Sequence, residues 1–367
     1  MASGNRLTRR AALGLAGGAL GLAGGAIAAP ALARAQDAPV RWRLVTSWPR
    51  GQAGPGVTAQ RIVDRINAMA GGRLVVELFA AGEIVPAFSV LDAVSNGTVE
   101  AGHSAALYWQ GRIPEAAFFT TIPFGLGPIE HQAWLAFGGG QALWEELYAA
   151  FGVTPFLAGN TGPCMGGFFR RPIGSLADVA GLRIRVAGLG AGVYERLGAT
   201  PVTIPAGETY TALERGTVDA VEFLAPATDY ELGLHQVAPL YYAPGFNKPN
   251  GASELLVNSD RLADLPEDLR RVVAEAAEAE HALALADAHR RNAIGLRAML
   301  SESQVRLEGF PADLMEAAAE AARAEIDAIA AGSDLAGRIV ASYRAAQAES
   351  APWSRLEADM ARSLARG

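Results

Sequence analysis

Cysteine occurs once in 367 residues, at Cys164, which excludes an internal disulfide framework and any cysteine-rich zinc or iron–sulfur site. Lysine is equally scarce: of the 31 bases only Lys248 is not arginine. The five histidines show neither HExxH nor HxH spacing, so a histidine zinc site is not expected. No G-x-S-x-G nucleophile elbow exists, and no segment after residue 35 is long and charge-free enough to span a bilayer. Positive charge is also short. Residues 1–35 hold Arg6, Arg9, Arg10 and Arg34 and no acid, which leaves 27 bases facing 38 acids in the rest. A binder of nucleic acid through its phosphates is therefore not expected.

What is present reads as a globular chain, 50% hydrophobic and 19% charged, of a length that suits two domains. Residues 1–35 read as an export signal: Arg9-Arg10, then charge-free, glycine-rich Ala11–Ala29, then small-residue cleavage sequences ending near Ala33 or Ala35. The paired arginines point to the twin-arginine route and a periplasmic mature protein. A membrane anchor is the competing reading, weakened by the glycines.

In the mature chain, Arg41–Ser47 alternates like a strand, Val57–Ala70 has helical spacing closed by Gly71-Gly72, and Leu74–Phe79 is a second strand. This β-α-β order predicts an α/β fold with largely parallel sheets. Val90–Ser104 (VLDAVSNGTVEAGHS) returns 119 residues later as Thr209–Phe223 (TYTALERGTVDAVEF), with seven positions identical or nearly so. In both, a short helix ends at a glycine suited to the left-handed conformation, and a strand follows. The echo predicts two similar lobes. Ligands of open α/β sheets bind beyond the carboxyl ends of strands, which nominates His103-Ser104 and Glu222-Phe223 as facing a shared cleft. The C-terminal third is Ala-, Glu- and Arg-rich with helical periodicity; His281 and His289 are expected to be solvated there.

Arg185 ends the strand-like Gly181–Val186 (GLRIRV), where a guanidinium offers a two-pronged donor for a carboxylate; an exposed edge arginine is the equal alternative. Gly188–Gly192 (GLGAG) lacks the third dinucleotide glycine, since Val193 stands there. It reads instead as a turn that lets a ligand approach backbone amides. Cys164 reads as a small packed residue before a nucleophile, and Tyr108-Trp109 and Phe118-Phe119 as core before ligand platform.

Taken together, TSWP (Thr46–Pro49), AGEIVP (Ala81–Pro86), VLDAVSNGTVEAGHSAALYW (Val90–Trp109) and NTGPCMGGFFRRPI (Asn160–Ile173) resemble one family. GLRIRV, GETYTALERGTVDAVEF (Gly207–Phe223), YYAPGFNKPNG (Tyr241–Gly251) and ELLVN (Glu254–Asn258) continue the likeness. The chain resembles the solute receptors of tripartite ATP-independent periplasmic (TRAP) transporters, the DctP-type binding proteins, in the branch for 2-oxo or 2-hydroxy monocarboxylates and related acids.

The resemblance implies a two-lobed periplasmic binding protein fold with a central cleft and long C-terminal helices. Lobe I would comprise 36–160 plus 251–295, lobe II 161–250, and residues 296–367 helices packed on the lobes or on the partner subunit of a homodimer. It implies a non-enzymatic receptor delivering a small carboxylate to TRAP membrane subunits. Arg185 would grip the carboxylate, and Tyr108, Trp109 and Phe223 would line the cleft. Asn160, Cys164, Glu222, Phe246, Asn247 and Lys248 complete the candidate set. In the branch a cation bridges ligand and protein, held by glutamine at the position of Cys164, Glu-Trp at Glu222-Phe223, and glutamate at that of Lys248. A hard cation needs oxygen ligands. Thiol and ammonium in their place disfavour a bridging cation, which would have Glu222 as its ligand if one is bound, and no other cofactor is expected; Lys248 would pair Glu222 and the ligand, and a solvent-facing Lys248 is the competing reading. Two other functions remain open at this stage: a secreted lyase or hydrolase using Glu222 and His103 as base and acid, and a periplasmic sensor subunit.

Overall fold

The computed structural model describes residues 38–365; the export-signal reading of residues 1–35 falls outside them. The chain runs β1 (Val40–Thr46), α1 (Pro55–Met69), β2 (Leu74–Phe79), α2 (Val90–Ser95), β3 (Ala101–Ser104), α3 (Pro128–Phe137), α4 (Gly140–Ala149) and β4 (Val153–Asn160). A second group follows: β5 (Gly167–Phe169), β6 (Arg183–Arg185), α5 (Gly190–Arg196), β7 (Thr200–Val202), α6 (Ala206–Glu214), β8 (Ala220–Val221), α7 (Pro226–Glu231) and β9 (Leu240–Ala243). The remainder is β10 (Ala252–Asn258), α8 (Ser259–Ala263), α9 (Glu267–Glu302), β11 (Arg306–Gly309), α10 (Ala312–Ala330) and α11 (Asp334–Leu364).

Two sheets form, ordered β2-β1-β3-β10-β4 and β11-β9-β5-β8-β6-β7. Reading β7-β6-β8-β5-β9 against β2-β1-β3-β10-β4, the two have the same plan, and the echoed segments supply the matching strands β3 and β8. Gly97 and Gly216 close the preceding helices with φ of +73° and +71°. The sheets are mixed, not largely parallel. β10 runs antiparallel to β3 and β4, and β5 antiparallel to β8 and β9. The reason is topological: after β4 the chain crosses to the second sheet and enters it as β5, and after β9 it returns as β10.

Lobe I packs both faces of its sheet. Ile62 and Ile66 of α1 meet Leu44, Leu74 and Val76, with Val273 and Ala277 of α9 on the same side. The other face holds Phe119 stacked between Trp134 and Trp144 at 5.5 and 5.1 Å, beside Tyr343 of α11. In lobe II, Leu314, Ala318 and Ala322 of α10 cover Ile184 and Ala220. The C-terminal region thus serves both lobes.

Two boundaries differ from the sequence expectation. The 36-residue α9 runs unbroken across 295/296, and residues 306–309 are no helix but a strand paired to β9. At 1.5 Å per residue α9 is about 54 Å long, enough to brace both lobes. Arg61 of α1 donates to Glu280 and Asp287 near its middle. Farther along, Asn292 donates to Thr161 O (3.0 Å) and accepts from Ala227 N (3.0 Å), joining a crossover to the start of α7. His281 is buried, not solvated, its Nδ1 3.1 Å from Gly159 O. Among the described residues no helix is long and apolar enough to cross a membrane.

Candidate functional site

The two nominated strand ends have different fates. His103 is wholly enclosed: Trp48 Nε1 donates to its Nδ1, and its Nε2 lies 2.9 Å from Ala158 O. Burial pushes the imidazole down to about 4, so it is neutral with the proton on Nε2. Ser104 is likewise buried, its Oγ 2.6 Å from Ser47 Oγ. This pair belongs to the lobe I interior, not to the cleft. Of the second pair, immediately past β8, Phe223 reaches the space between the lobes, whereas Glu222 is wholly buried and does not line it.

That space is a largely enclosed cavity of about 30 Å³. Trp48, Leu107, Tyr108, Thr120 and Ser253 line it from lobe I, Ala187, Phe223, Leu224 and Lys248 from lobe II, and Thr161 and Asn250 from the crossovers. The lobes are therefore shut on it. A groove of about 740 Å³ elsewhere runs along α1, β1 and β2 on the outer surface and is remote from the strand ends.

Arg185, the last residue of β6, is fully buried. Its Nε and Nη2 donate to Ile204 O at 3.0 and 2.9 Å, and Nη1 donates to Glu222 O at 2.9 Å. The guanidinium carbon sits 4.7 Å from the centre of the Phe223 ring. Three of five N–H donors are thereby spent on fixing the group, and two remain for a ligand.

Lys248 is 4% exposed and Glu222 wholly enclosed, with Nζ 2.9 Å from Glu222 Oε1. Nζ donates its hydrogen bond to Phe223 O; the carboxylate lies off the donor direction, and neither of its oxygens has a hydrogen-bond partner. Burial raises the Glu222 carboxyl above its ordinary range, while Lys248 and Arg185 pull it down. Cys164 N donates to Lys248 O at 3.0 Å, and burial pushes its thiol up to about 12, so the sulfur keeps its proton. Asp229 accepts from Tyr241 OH (2.8 Å) and Leu224 N (3.2 Å), and burial pushes it up to about 7.

The other candidates divide. Tyr108 lies on the cavity wall between Trp48 and Phe88, at centroid distances of 5.8 and 4.8 Å. Trp109 turns into lobe I, donating to Glu254 Oε1 at 2.7 Å. Asn160 bonds Asn250 Oδ1 and Gly162 N, both 2.8 Å, and so shapes the crossovers. Phe246 packs with Phe124, Tyr194 and Phe310 in lobe II. Asn247 is buried, its Oδ1 lacking a hydrogen-bond partner. The GLGAG glycines answer to packing rather than to a ligand: a Cβ on Gly190 would lie 2.6 Å from Asn247 Cγ, and one on Gly192 2.7 Å from Glu325 Cδ. Trp48, Thr120, Thr161, Asn250 and Ser253 escaped the sequence reading as wall residues. Three of them lie in quoted motifs, TSWP, NTGPCMGG and YYAPGFNKPNG, and were passed over for more reactive neighbours.

The profile of the bacterial extracellular solute-binding proteins, family 7, matches residues 52–333. The chain belongs to that family. The monocarboxylate 2-oxoacid-binding periplasmic protein of a Nostoc species is 44% identical over 233 residues, covering 64% of this chain and 64% of its own length. The chain thus aligns with a little under two thirds of that curated relative. A TRAP transporter solute-binding protein of Bordetella bronchiseptica is 32% identical with a TM-score of 0.86, covering 89% of this chain and 99% of its own. Its crystal structure is a mixed-occupancy dimer with copurified calcium and picolinate in the bound active site. A TRAP periplasmic solute-binding protein of Pseudoalteromonas atlantica, solved with bound sodium and pyruvate, is 34% identical with a TM-score of 0.85, covering 88% of this chain and 98% of its own.

An ammonium already stands 2.9 Å from Glu222, and the thiol beside it stays protonated. Among the described residues no group of three or more His, Cys, Asp or Glu side chains is placed to hold an ion.

Proposed function

We propose that this protein is the periplasmic receptor of a TRAP transporter, capturing a small 2-oxo or 2-hydroxy monocarboxylate for uptake driven by an ion gradient. The observation that carries the reading is the Arg185 guanidinium at the end of β6, held by three backbone bonds with two donors unspent and packed 4.7 Å from the centre of the Phe223 ring, which lines the cavity. A carboxylate meeting it there exchanges water for a fixed, two-pronged charge-assisted contact. With Glu222 ionised and Asp229 protonated, Arg185 and Lys248 leave one positive charge, which matches one carboxylate. Tyr108 and Phe223 supply the apolar walls that exclude water, and closure of the lobes completes the enclosure.

This is binding without catalysis: His103 has both ring nitrogens engaged away from the cavity and is no partner for Glu222 in acid–base work. Export through the twin-arginine signal would bring the receptor to membrane-embedded TRAP subunits. A homodimer is part of the proposal. Trp353, Leu356, Met360 and Leu364 expose one apolar stripe on the last turns of α11, and the Bordetella relative is a dimer.

Arg185→Ala is expected to weaken pyruvate binding more than tenfold by calorimetry, with unchanged circular dichroism, because it strands a desolvated anion. Equal affinity in the variant refutes the role.

A further inference from the structure

We infer that the Lys248 ammonium is the built-in cation of this site, so that the organic acid is bound between Arg185 and Lys248 without a metal ion. The inference rests on the acid-receptor reading above and deepens it.

Lys248 is the single lysine of the chain, and its side chain is enclosed at the cavity wall instead of facing solvent. It arrives there on the loop between β9 and β10, fixed at both ends of its own peptide: Lys248 N donates to Gly245 O and Lys248 O accepts from Cys164 N. The ammonium donates to Phe223 O and lies 2.9 Å from Glu222 Oε1. An ammonium has three donors. One is directed to Phe223 O, and the Glu222 contact is made by proximity rather than by a directed bond, which leaves donor capacity toward the cavity.

Both Glu222 oxygens are enclosed without a hydrogen-bond donor. A buried carboxylate in that condition is costly unless a cation stays beside it. Lys248 provides that charge permanently, where a loosely held calcium or sodium ion would have to be recruited. The same ammonium obstructs such an ion, because like charges at contact distance repel strongly in a site this dry. Cys164 adds a protonated sulfur where a hard cation needs oxygen. Two relatives carry a cation beside the ligand instead, calcium with picolinate in one and sodium with pyruvate in the other.

The test is calorimetry of pyruvate and 2-oxobutanoate with the full mature protein, before and after EDTA treatment in a sodium-free choline buffer. Metal content is measured by mass spectrometry in parallel. The expected result is affinity unchanged within twofold on chelation, with less than 0.1 equivalent of metal per chain (about the level of adventitious ion). Lys248→Met should weaken both acids at least tenfold, and calcium should not restore them. Affinity that falls tenfold on chelation and returns with calcium or sodium overturns the role of Lys248 while leaving the receptor reading in place. So does a Lys248→Met protein that binds as the parent does. No heat from either acid in either buffer sinks the acid-receptor reading, and this inference with it.

Discussion

Glu254 shows how far a single side chain can depart from its ordinary chemistry here. It is buried in β10 with no cation beside it, accepting from Trp109 Nε1 (2.7 Å) and Tyr148 OH (3.0 Å). Burial raises its carboxyl from 4.5 to about 8. Between those values the folded chain keeps a proton that the unfolded chain has released, so stability falls as pH rises through the interval, by at most ~1.4 kcal/mol per pH unit. His103, His131 and His281 act oppositely, each pushed by burial from 6.5 down to about 4. Their contribution is lost as pH falls below about 6.5. From about pH 7 to 8 the histidine contribution is nearly complete and the carboxyls dominate, so the melting temperature should decline across that range. Glu254→Gln should flatten the decline and melt higher than the parent at pH 8; a variant whose curve stays parallel to the parent's contradicts the assignment. At this scale the sequence singled out Lys248, Arg185 and Glu222 by type or motif, and all three prove buried. It was opaque for His281, whose neighbours in the chain are charged and whose burial depends on β4 strand residues more than 120 positions away.

Among the elements, α9 carries the most consequence, because one asparagine on it joins two parts of the structure. Asn292→Ala removes the bonds to Thr161 O and Ala227 N, at ~0.5–1.5 kcal/mol each. A loss of about 1–3 kcal/mol in urea unfolding is expected, with the slope unchanged; stability equal to the parent's would show these bonds to be dispensable. Helices and strands with a strong local period were readable: Leu74–Phe79 is β2, and the helix expected at Val57–Ala70 is α1, begun two residues earlier by Pro55. The antiparallel course of β5 and β10 was not readable. Strand direction follows from which lobe the chain has just left, and no local pattern encodes that. β11 was missed for a simpler reason: its burial shows no alternation, with Arg306, Leu307 and Gly309 all exposed.

For the molecule as a whole, the paired lobes were visible in the echo between residues 90–104 and 209–223, since similar supersecondary units repeat similar sequence. Assembly is a further matter. Trp353, Leu356, Met360 and Leu364 are 58%, 51%, 45% and 82% exposed at helical spacing, a stripe that in water favours a partner. Size-exclusion chromatography with light scattering should give a dimer for the parent and a monomer for the Leu356→Asp/Met360→Asp protein. A monomeric parent at ten micromolar (roughly the scale at which a weak dimer forms) removes the dimer.

Where the chain passes twice between its halves, Thr161 N donates to Gly251 O at 3.0 Å, and a β-carbon on Gly251 would fall 1.9 Å from Thr161 Oγ1. Asn160 and Asn250 clasp each other just beside it. The two passages are thus bound into one axle with no slack between its members. Any swing of one half must twist both together, which leaves a single arc of travel instead of a spread of postures.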